Sequence, residues 1–319
     1  DGKVFPVSLS AEDVRSVLAS RAVDNGFEIV RNESGVAIEL IGDDGLVNPA
    51  DSHCGYKVTT DSGHSYMAEN VVIATGGRSY PGTGSDGSMY PVIESLGVSL
   101  ITPAPALVPV FVQDYGYSAL SGISFKNTEI VVRDGDKIVA RNVDDLLLTH
   151  KNFSGPAVIN ISRDIRTGMT LTVNYVAPMR DDELTGGIKK RMAGNGKSVA
   201  NFLVDLLGLP SAFVAAIAEE CGVDPSRKAS SLTGAEAGML ARAFACHEYS
   251  VSGLGGYSEA MVTRGGVALD QIDLKSMECK LLPGIYFIGE VVDIDGDTGG
   301  YNLQFAYSSA VAAMKNILE

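Results

Sequence analysis

Basic charge, cysteine, histidine and long apolar runs are all scarce in this sequence. Lysine and arginine number 25 against 39 aspartates and glutamates, a formal net charge of −14 at neutral pH. Gripping a phosphate backbone needs clustered cations, so nucleic-acid binding as the main business is disfavoured, a local basic patch aside. The short cluster Lys189-Lys190-Arg191 reads better as a solvated helix face. No apolar stretch reaches the ~18 residues of a membrane-spanning helix, and the nearest, Pro103–Val112, contains three prolines. The amino terminus, DGKVFPVSLS, has neither a basic n-region nor an apolar h-region, and no initiator methionine. Cys54, Cys221, Cys246 and Cys279 are far apart, with no C-x-x-C pair. This spacing argues against a disulfide framework or a zinc site and for reduced thiols in a cytoplasm. His53 and His247 each adjoin a cysteine, but sequence neighbours rarely chelate one ion together, so no metal is expected. No Ser-His-Asp order and no G-x-S-x-G elbow supports nucleophilic hydrolysis.

What is present is a folded chain: 319 residues, 45% apolar and 20% charged. Two domains are the default for that length and three are possible. Glycine is in excess, 36 residues or about 11%, against an average near 7%. Ser10 and Asp13 predict a helix start; Val14, Val17, Leu18 and Arg21 follow at helical spacing and Gly26 predicts the stop. Phe27–Val30, Val36–Leu40 and Tyr56–Thr60 read as short strands separated by turn clusters. Val71–Ile73 reads as a strand buried on both faces in a parallel sheet, and a helix is expected from about Asp86 to Leu96. From Pro103 to Val176 the texture is strand after strand, with one helix-like interruption at Ser154–Ile165. Asp181 to Phe244 is helical, strands return with EYSVSG and EAMV, and a buried strand at Ile285–Ile288 precedes a long final helix. Leu303, Ala306, Ala310, Ala313 or Met314, and Ile317 line one face of that helix. The order is α/β, β, helical, β and α/β again, which suggests one domain built from both ends of the chain.

Two Gly-rich turns carry the chemistry. After Val71–Ile73, Ala74-Thr75-Gly76-Gly77 lets backbone approach a ligand without Cβ interference, at the carboxyl end of a strand where α/β sheets bind ligands. Such turns are also common without a ligand. After Ile285–Ile288 comes Gly289-Glu290, an acid placed to accept hydrogen bonds from sugar-type hydroxyls. Asp293, Asp295 and Asp297 resemble a calcium loop, but positions six and twelve are Thr298 and Gln304, which rejects an EF-hand. Thr298-Gly299-Gly300 opens the last helix, where bare amides and the helix dipole suit an anionic ring such as reduced flavin. Tyr301, Asn302 and Gln304 stand in the first turn. Two weaker features remain. His150 precedes a helix start at Ser154 and Pro156, as an acid–base group or a hydrogen-bonded loop histidine. Arg264, between a strand and Gly265-Gly266, faces a negative substrate or plain solvent.

These residues resemble a known family, the bacterial FAD-binding flavoproteins of BaiN/YhiN-like, aminoacetone-oxidase-like type, relatives of the glutathione-reductase and fumarate-reductase flavoproteins. The likeness covers nearly the whole chain. It rests on KVFP at Lys3–Pro6, ATGGRSYPGTGSDGS, THKNFSGPA, VTRGGV and above all GEVVDIDGDTGGYNLQFAYSS. The resemblance implies an α/β fold in which a partial Rossmann-like FAD-binding domain (1–104 and 262–319) carries a β-barrel-like insert (105–178 and 245–261) and a helical subdomain (179–244). It implies that Ala74, Thr75, Gly76, Gly77, Gly289, Glu290, Asp295, Gly299, Gly300, Tyr301, Asn302, Leu303 and Gln304 surround FAD, with Glu290 facing the ribityl chain. Met89 and Asn152 stand where relatives have glycine. Family members begin with a strand–GxGxxG–helix unit, and no such string follows an early strand here.

The expectation is therefore a piece of a FAD-dependent oxidoreductase whose complete form moves hydride or electrons to or from a small organic substrate, with NADH or NADPH as reductant. The piece alone is expected to be inactive and to hold FAD weakly or not at all. His150 and Tyr301 are the weak catalytic candidates, Ser154 and Arg264 the weak substrate candidates. The rival reading is a non-catalytic flavin-fold binding module. No nucleic acid and no membrane are expected as partners, and the location is expected to be cytoplasmic.

Overall fold

Ser10 accepts a hydrogen bond from the Asp13 amide at 3.3 Å and opens helix α1, Ala11–Asp24. Gly26 follows in the left-handed region, φ 85°, as its stop position requires. The computed structural model describes residues 4–41 and 55–319, so Lys3, His53 and Cys54 lie outside the described residues. No residue of α1 is buried; Val14, Val17 and Leu18 stay exposed. The predicted strand at Phe27–Val30 has no regular structure. Strands β1 (Gly35–Ile41), β2 (Gly55–Thr60) and β3 (Ser65–Ala68) form an antiparallel sheet in that order. Strand β4 (Val71–Ile73), helix α2 (Met89–Ser95) and strand β5 (Leu100–Ala106) follow. α2 is shorter than the predicted Asp86–Leu96: Asp86 spends its carboxylate on the Ser88 amide at 2.9 Å, and the helix starts only after Ser88.

The next strands are β6 (Val110–Val112), β7 (Ser124–Asp134), β8 (Lys137–Leu148), β9 (Phe153–Ser154) and β10 (Thr170–Asn174), with the four-residue helix α3 (Pro156–Ile159) between the last two. Helices α4 (Asp181–Met192), α5 (Val199–Leu207), α6 (Ser211–Glu220) and α7 (Gly234–Ala245) follow, and then β11 (His247–Leu254). Six of these strands close into a barrel, β10-β11-β6-β9-β8-β7. Closure leaves no open edge within it. One continuous core fills the barrel and the helices together, from Val110 and Phe153 to Phe213 and Phe244.

A buried polar chain threads that core. The phenols of Tyr117 and Tyr175 bond the Tyr249 hydroxyl at 2.7 and 2.8 Å, and Tyr117 donates to Glu220 at 3.0 Å. His247 Nε2 meets the other Glu220 oxygen at 3.0 Å and its ring stacks on Tyr249. The bond from His247 is the main reason the Glu220 carboxyl sits below its ordinary range. Every hydroxyl of the trio thus has a partner, which is what lets three phenols be buried together.

The chain then forms β12 (Val262–Val267), β13 (Ile272–Asp273), β14 (Glu278–Cys279), β15 (Ile285–Phe287) and α8 (Tyr301–Leu318). β12 pairs with β5, and a four-stranded sheet runs β13-β14-β15-β4. Its β15–β4 pair is parallel, with Ile285 opposite Val71 and Phe287 opposite Ile73. The expectation of a parallel strand at Val71–Ile73 holds. The expectation of burial on both faces does not: Ile73 is buried, but Val72, on the opposite face, is 39% exposed. The strand expected at EAMV, Glu259–Val262, begins three residues later, as β12. On α8 the buried positions are Ser309 and Ala313, with Phe305, Ala312 and Ile317 packed against the core. Leu303 is 79% exposed; the true face is turned away from it.

By internal contacts the chain divides into two compact units, Asp1–Ala104 with Val262–Glu319, and Pro105–Met261. Among the described residues no helix is long and apolar enough to cross a membrane.

Candidate functional site

The parallel β4 and β15 deliver their following loops to the same end of the sheet, where the Ile288 amide still bonds the Ile73 carbonyl at 3.1 Å. Parallel strands ending together are where α/β sheets place ligands. Past β4, Ala74 and Thr75 are exposed, Gly76 has φ 73° and Gly77 is buried. Past β15, Gly289 turns with φ 67° and donates its amide to the buried Ser309 hydroxyl of α8 at 3.0 Å. Glu290 then reaches back and accepts from the Thr263 amide at 2.9 Å.

Thr263 is the centre of the arrangement. Its hydroxyl oxygen accepts from the amides of Arg78 at 2.7 Å and Ser79 at 3.1 Å, and shares a bond with the Ser79 hydroxyl at 2.9 Å. A methyl group on Gly77 would stand 2.3 Å from the Thr263 hydroxyl oxygen and 2.6 Å from Glu290 Oε1. Two residues further along β12, the Gly265 amide donates to Asp293 at 3.0 Å. Gly266 lies so close to the loop after β15 that a Cβ would be 2.3 Å from the Val291 carbonyl. Two loops and strand β12 are thus knotted through bare glycine backbone. From the sequence alone Arg264 stands out and Thr263 does not. The missed signal was a hydroxyl residue inside a strand, where its side chain can satisfy amides that a turn leaves over.

Burial is the main influence on Glu290 and pushes its carboxyl above the ordinary range, with the Thr263 bonds opposing. The folded chain therefore holds this proton more tightly than the unfolded one. The associated stability is full at acid pH and is lost as pH rises through the carboxyl range. Glu290→Gln is expected to flatten that decline while keeping an oxygen for the Thr263 amide. Urea midpoints compared at about pH 4.5 and about pH 8 test this; parallel shifts in parent and variant would refute it.

The start of α8 is built on Gly299 and Gly300, φ 126° and 95°, and no side chain caps its first amides. Asn302 does not reach outward as expected: its amide group closes a loop by accepting from Gly296 N at 2.8 Å and donating to Gly296 O at 3.0 Å. Gln304 Nε2 bonds Ser308 one turn on, at 3.0 Å. Tyr301 and Leu303 are exposed and Asp295 is half-buried. The amides left uncapped by the described side chains, the bare glycines and the half-buried acid fit a large, close-packed group that turns anionic beside a helix start.

The weaker expectations fare differently. Arg264 lies in the middle of β12 rather than between a strand and two glycines, and it is exposed. Ser154 is no helix cap; it sits in β9 opposite Leu147, and Gly155 with φ 86° opens α3. Alanine there would clash at 2.6 Å with the Asp145 carbonyl, so glycine, not serine, makes that start. His150 is exposed, and its carbonyl accepts from the Ser118 hydroxyl at 2.7 Å. Thr149 and Asn152 close the turn around it, Thr149 N bonding Asn152 O at 3.0 Å. Both His150 and Ser154 belong to the Pro105–Met261 unit.

Sequence reading also passed over a G-x-G-x-x-G string, Gly82 to Gly87. It opens onto α2 but does not continue a strand: β4 has ended at Ile73 and a single tight turn, Pro81–Thr83, intervenes. Gly87 has a reason of its own, since a Cβ there would meet the Arg78 stem at 2.4 Å.

A family model described as the HI0933-like protein Rossmann domain matches residues 1–316. The ribosomal RNA dihydrouridine synthase of Escherichia coli is 31% identical over 81% of this chain and 62% of its own length. The enzyme of the same name from Haemophilus influenzae is 30% identical over 96% of this chain and 73% of its own. A 3-dehydro-bile acid delta(4,6)-reductase from Clostridium scindens is 26% identical over 98% and 74%. The chain thus spans between 62% and 74% of the length of these relatives.

Proposed function

Because the chain belongs to the HI0933-like, FAD-binding Rossmann family, we propose that it is part of an FAD-dependent oxidoreductase that reduces a carbon–carbon double bond conjugated to a carbonyl. The relatives' names share that chemistry. A dihydrouridine is uridine with its ring double bond saturated, and a 3-dehydro delta(4,6) compound is a conjugated dienone. Bound FAD would supply the electron pair, and two protons complete the saturation.

The observation that carries this reading is the glycine-lined knot of Gly77, Thr263 and Glu290 beside the uncapped start of α8. In the proposal, Gly76, Gly77, Gly289 and Glu290 hold the cofactor's polar chain, and the amides at Gly300 and Tyr301 offset charge on its ring. Of the residues considered for proton delivery, Tyr301 is preferred over His150, because its phenol stands on the same first turn of α8. A small molecule is preferred over RNA as the partner of this chain itself, given its surplus of negative charge.

The test uses the full-length natural protein. It is expected to purify with flavin absorbance, to be reduced anaerobically by NADH or NADPH, and to be reoxidised by a conjugated ketone or a uracil ring but not by the saturated counterpart. Absence of flavin, or reoxidation by oxygen alone, would overturn the reading.

A further inference from the structure

Beside α2, the unit that contains the glycine knot has a cleft of about 450 Å³, within the usual range for small-ligand sites. Its walls include Arg78, Asp86, Tyr90, Glu94, Thr102 and Pro103, and Arg78 is the one cation among the described residues that line it. Arg78 is held through both its backbone and its stem. Its amide bonds Thr263, and its stem lies flat on Gly87, where a Cβ would come 2.4 Å from Arg78 Cγ and 2.8 Å from Cδ. A side chain held this way loses little freedom when its guanidinium engages a ligand.

Two residues of the cleft adjoin residues of the knot. Arg78 directly follows Gly77, and the carbonyl of Thr102 is what a Cβ on Gly265 would strike, at 2.6 Å. The polar groups around Arg78 are mixed in sign. The Ser88 side chain, and after it the Ser88 amide, hold the Asp86 carboxyl below the ordinary range, so it is anionic at neutral pH. Glu94 adds a second carboxylate from α2. One guanidinium suits a carbonyl oxygen, Leu100, Pro91 and Pro103 offer apolar wall to a flat ring, and two carboxylates oppose any further negative charge.

We propose that this cleft binds the carbonyl-bearing ring of the substrate, with Arg78 as its anchor, and that Asp86 and Glu94 make it choose a neutral ring over a phosphorylated one. As a substrate subsite it rests on the reductase reading above. The probes are uridine and uridine 5′-monophosphate, titrated into the full-length protein by calorimetry at low salt, with flavin absorbance recorded on each sample. Uridine is expected to bind about fivefold more tightly than the monophosphate. Arg78→Met is expected to weaken uridine about tenfold, and Glu94→Gln to bring the two probes within about twofold. Thermal melts confirm that each variant folds; should Arg78→Met not fold, Arg78→Lys takes its place, expected to weaken uridine by a smaller factor. Equal or tighter binding of the monophosphate, or unchanged uridine binding in Arg78→Met, would sink the proposal. Flavin present without uridine binding defeats this subsite alone, whereas absence of flavin defeats the reductase reading.

Discussion

Phe213→Ala is expected to destabilise the Pro105–Met261 unit by about 3–5 kcal/mol, the usual loss when a large ring leaves a sealed core. Phe213 is fully buried on α6. Its ring centroid lies 4.5 Å from Phe125 of β7, 4.7 Å from Tyr175 and 6.3 Å from Phe244 of α7. The side chain therefore holds strand, loop and helix at once. Urea unfolding followed by far-ultraviolet and aromatic circular dichroism should show barrel and helices lost in one transition, shifted to lower urea in the variant. Helices that melt first, leaving the aromatic signal of the barrel intact, would show that α4–α7 have a core of their own.

The second large effect is expected at Gly77. An alanine methyl would fall 2.3 Å from the Thr263 hydroxyl oxygen, 2.5 Å from its Cβ and 2.6 Å from Glu290 Oε1. None of these can swing away without releasing the Arg78, Ser79 or Thr263 amides. Overpacking of this kind costs about 1–3 kcal/mol, and in the full-length protein flavin retention should drop by about tenfold or more. Gly82 serves as the control, since nothing lies within 4 Å of a Cβ there. Gly82→Ala should stay within about 0.5 kcal/mol of the parent. A Gly77→Ala protein that keeps its flavin and its melting point would refute the knot as a cofactor cradle.

Much of the site was legible because glycine pairs after apolar runs have a strong local meaning. Gly76-Gly77 and Gly289 do follow the two parallel strands, and Gly299-Gly300 does open the last helix. The misreadings share a cause. Val72 and Leu303 are apolar residues in regular elements, and periodicity alone assigns such residues to a core. Whether a face is covered depends on neighbours distant in the chain, and here both are exposed. Asn302 looked available because its sequence neighbours made no claim on it, whereas Gly296, six residues back across a turn, takes both ends of its amide. Thr263 was overlooked because its partners, Arg78 and Ser79, are more than 180 residues away. Hydrogen bonds of that range leave no spacing pattern to read.

The parallel pairing of β4 with β15 also sets an order of assembly. The two strands are neighbours in space yet roughly two hundred residues apart in the chain, with the whole barrel unit between them. On a ribosome every residue of the barrel is synthesised before β15 and α8, and units of this kind fold as they emerge. The finished barrel brings its own ends together, the Met261 amide bonding the Leu107 carbonyl at 3.3 Å. What would be a very long loop thus shrinks to a short one before the sheet has to close, and the entropy of closure falls with it. A folded insert thus shortens in time the search by which the last strand of the sheet finds β4.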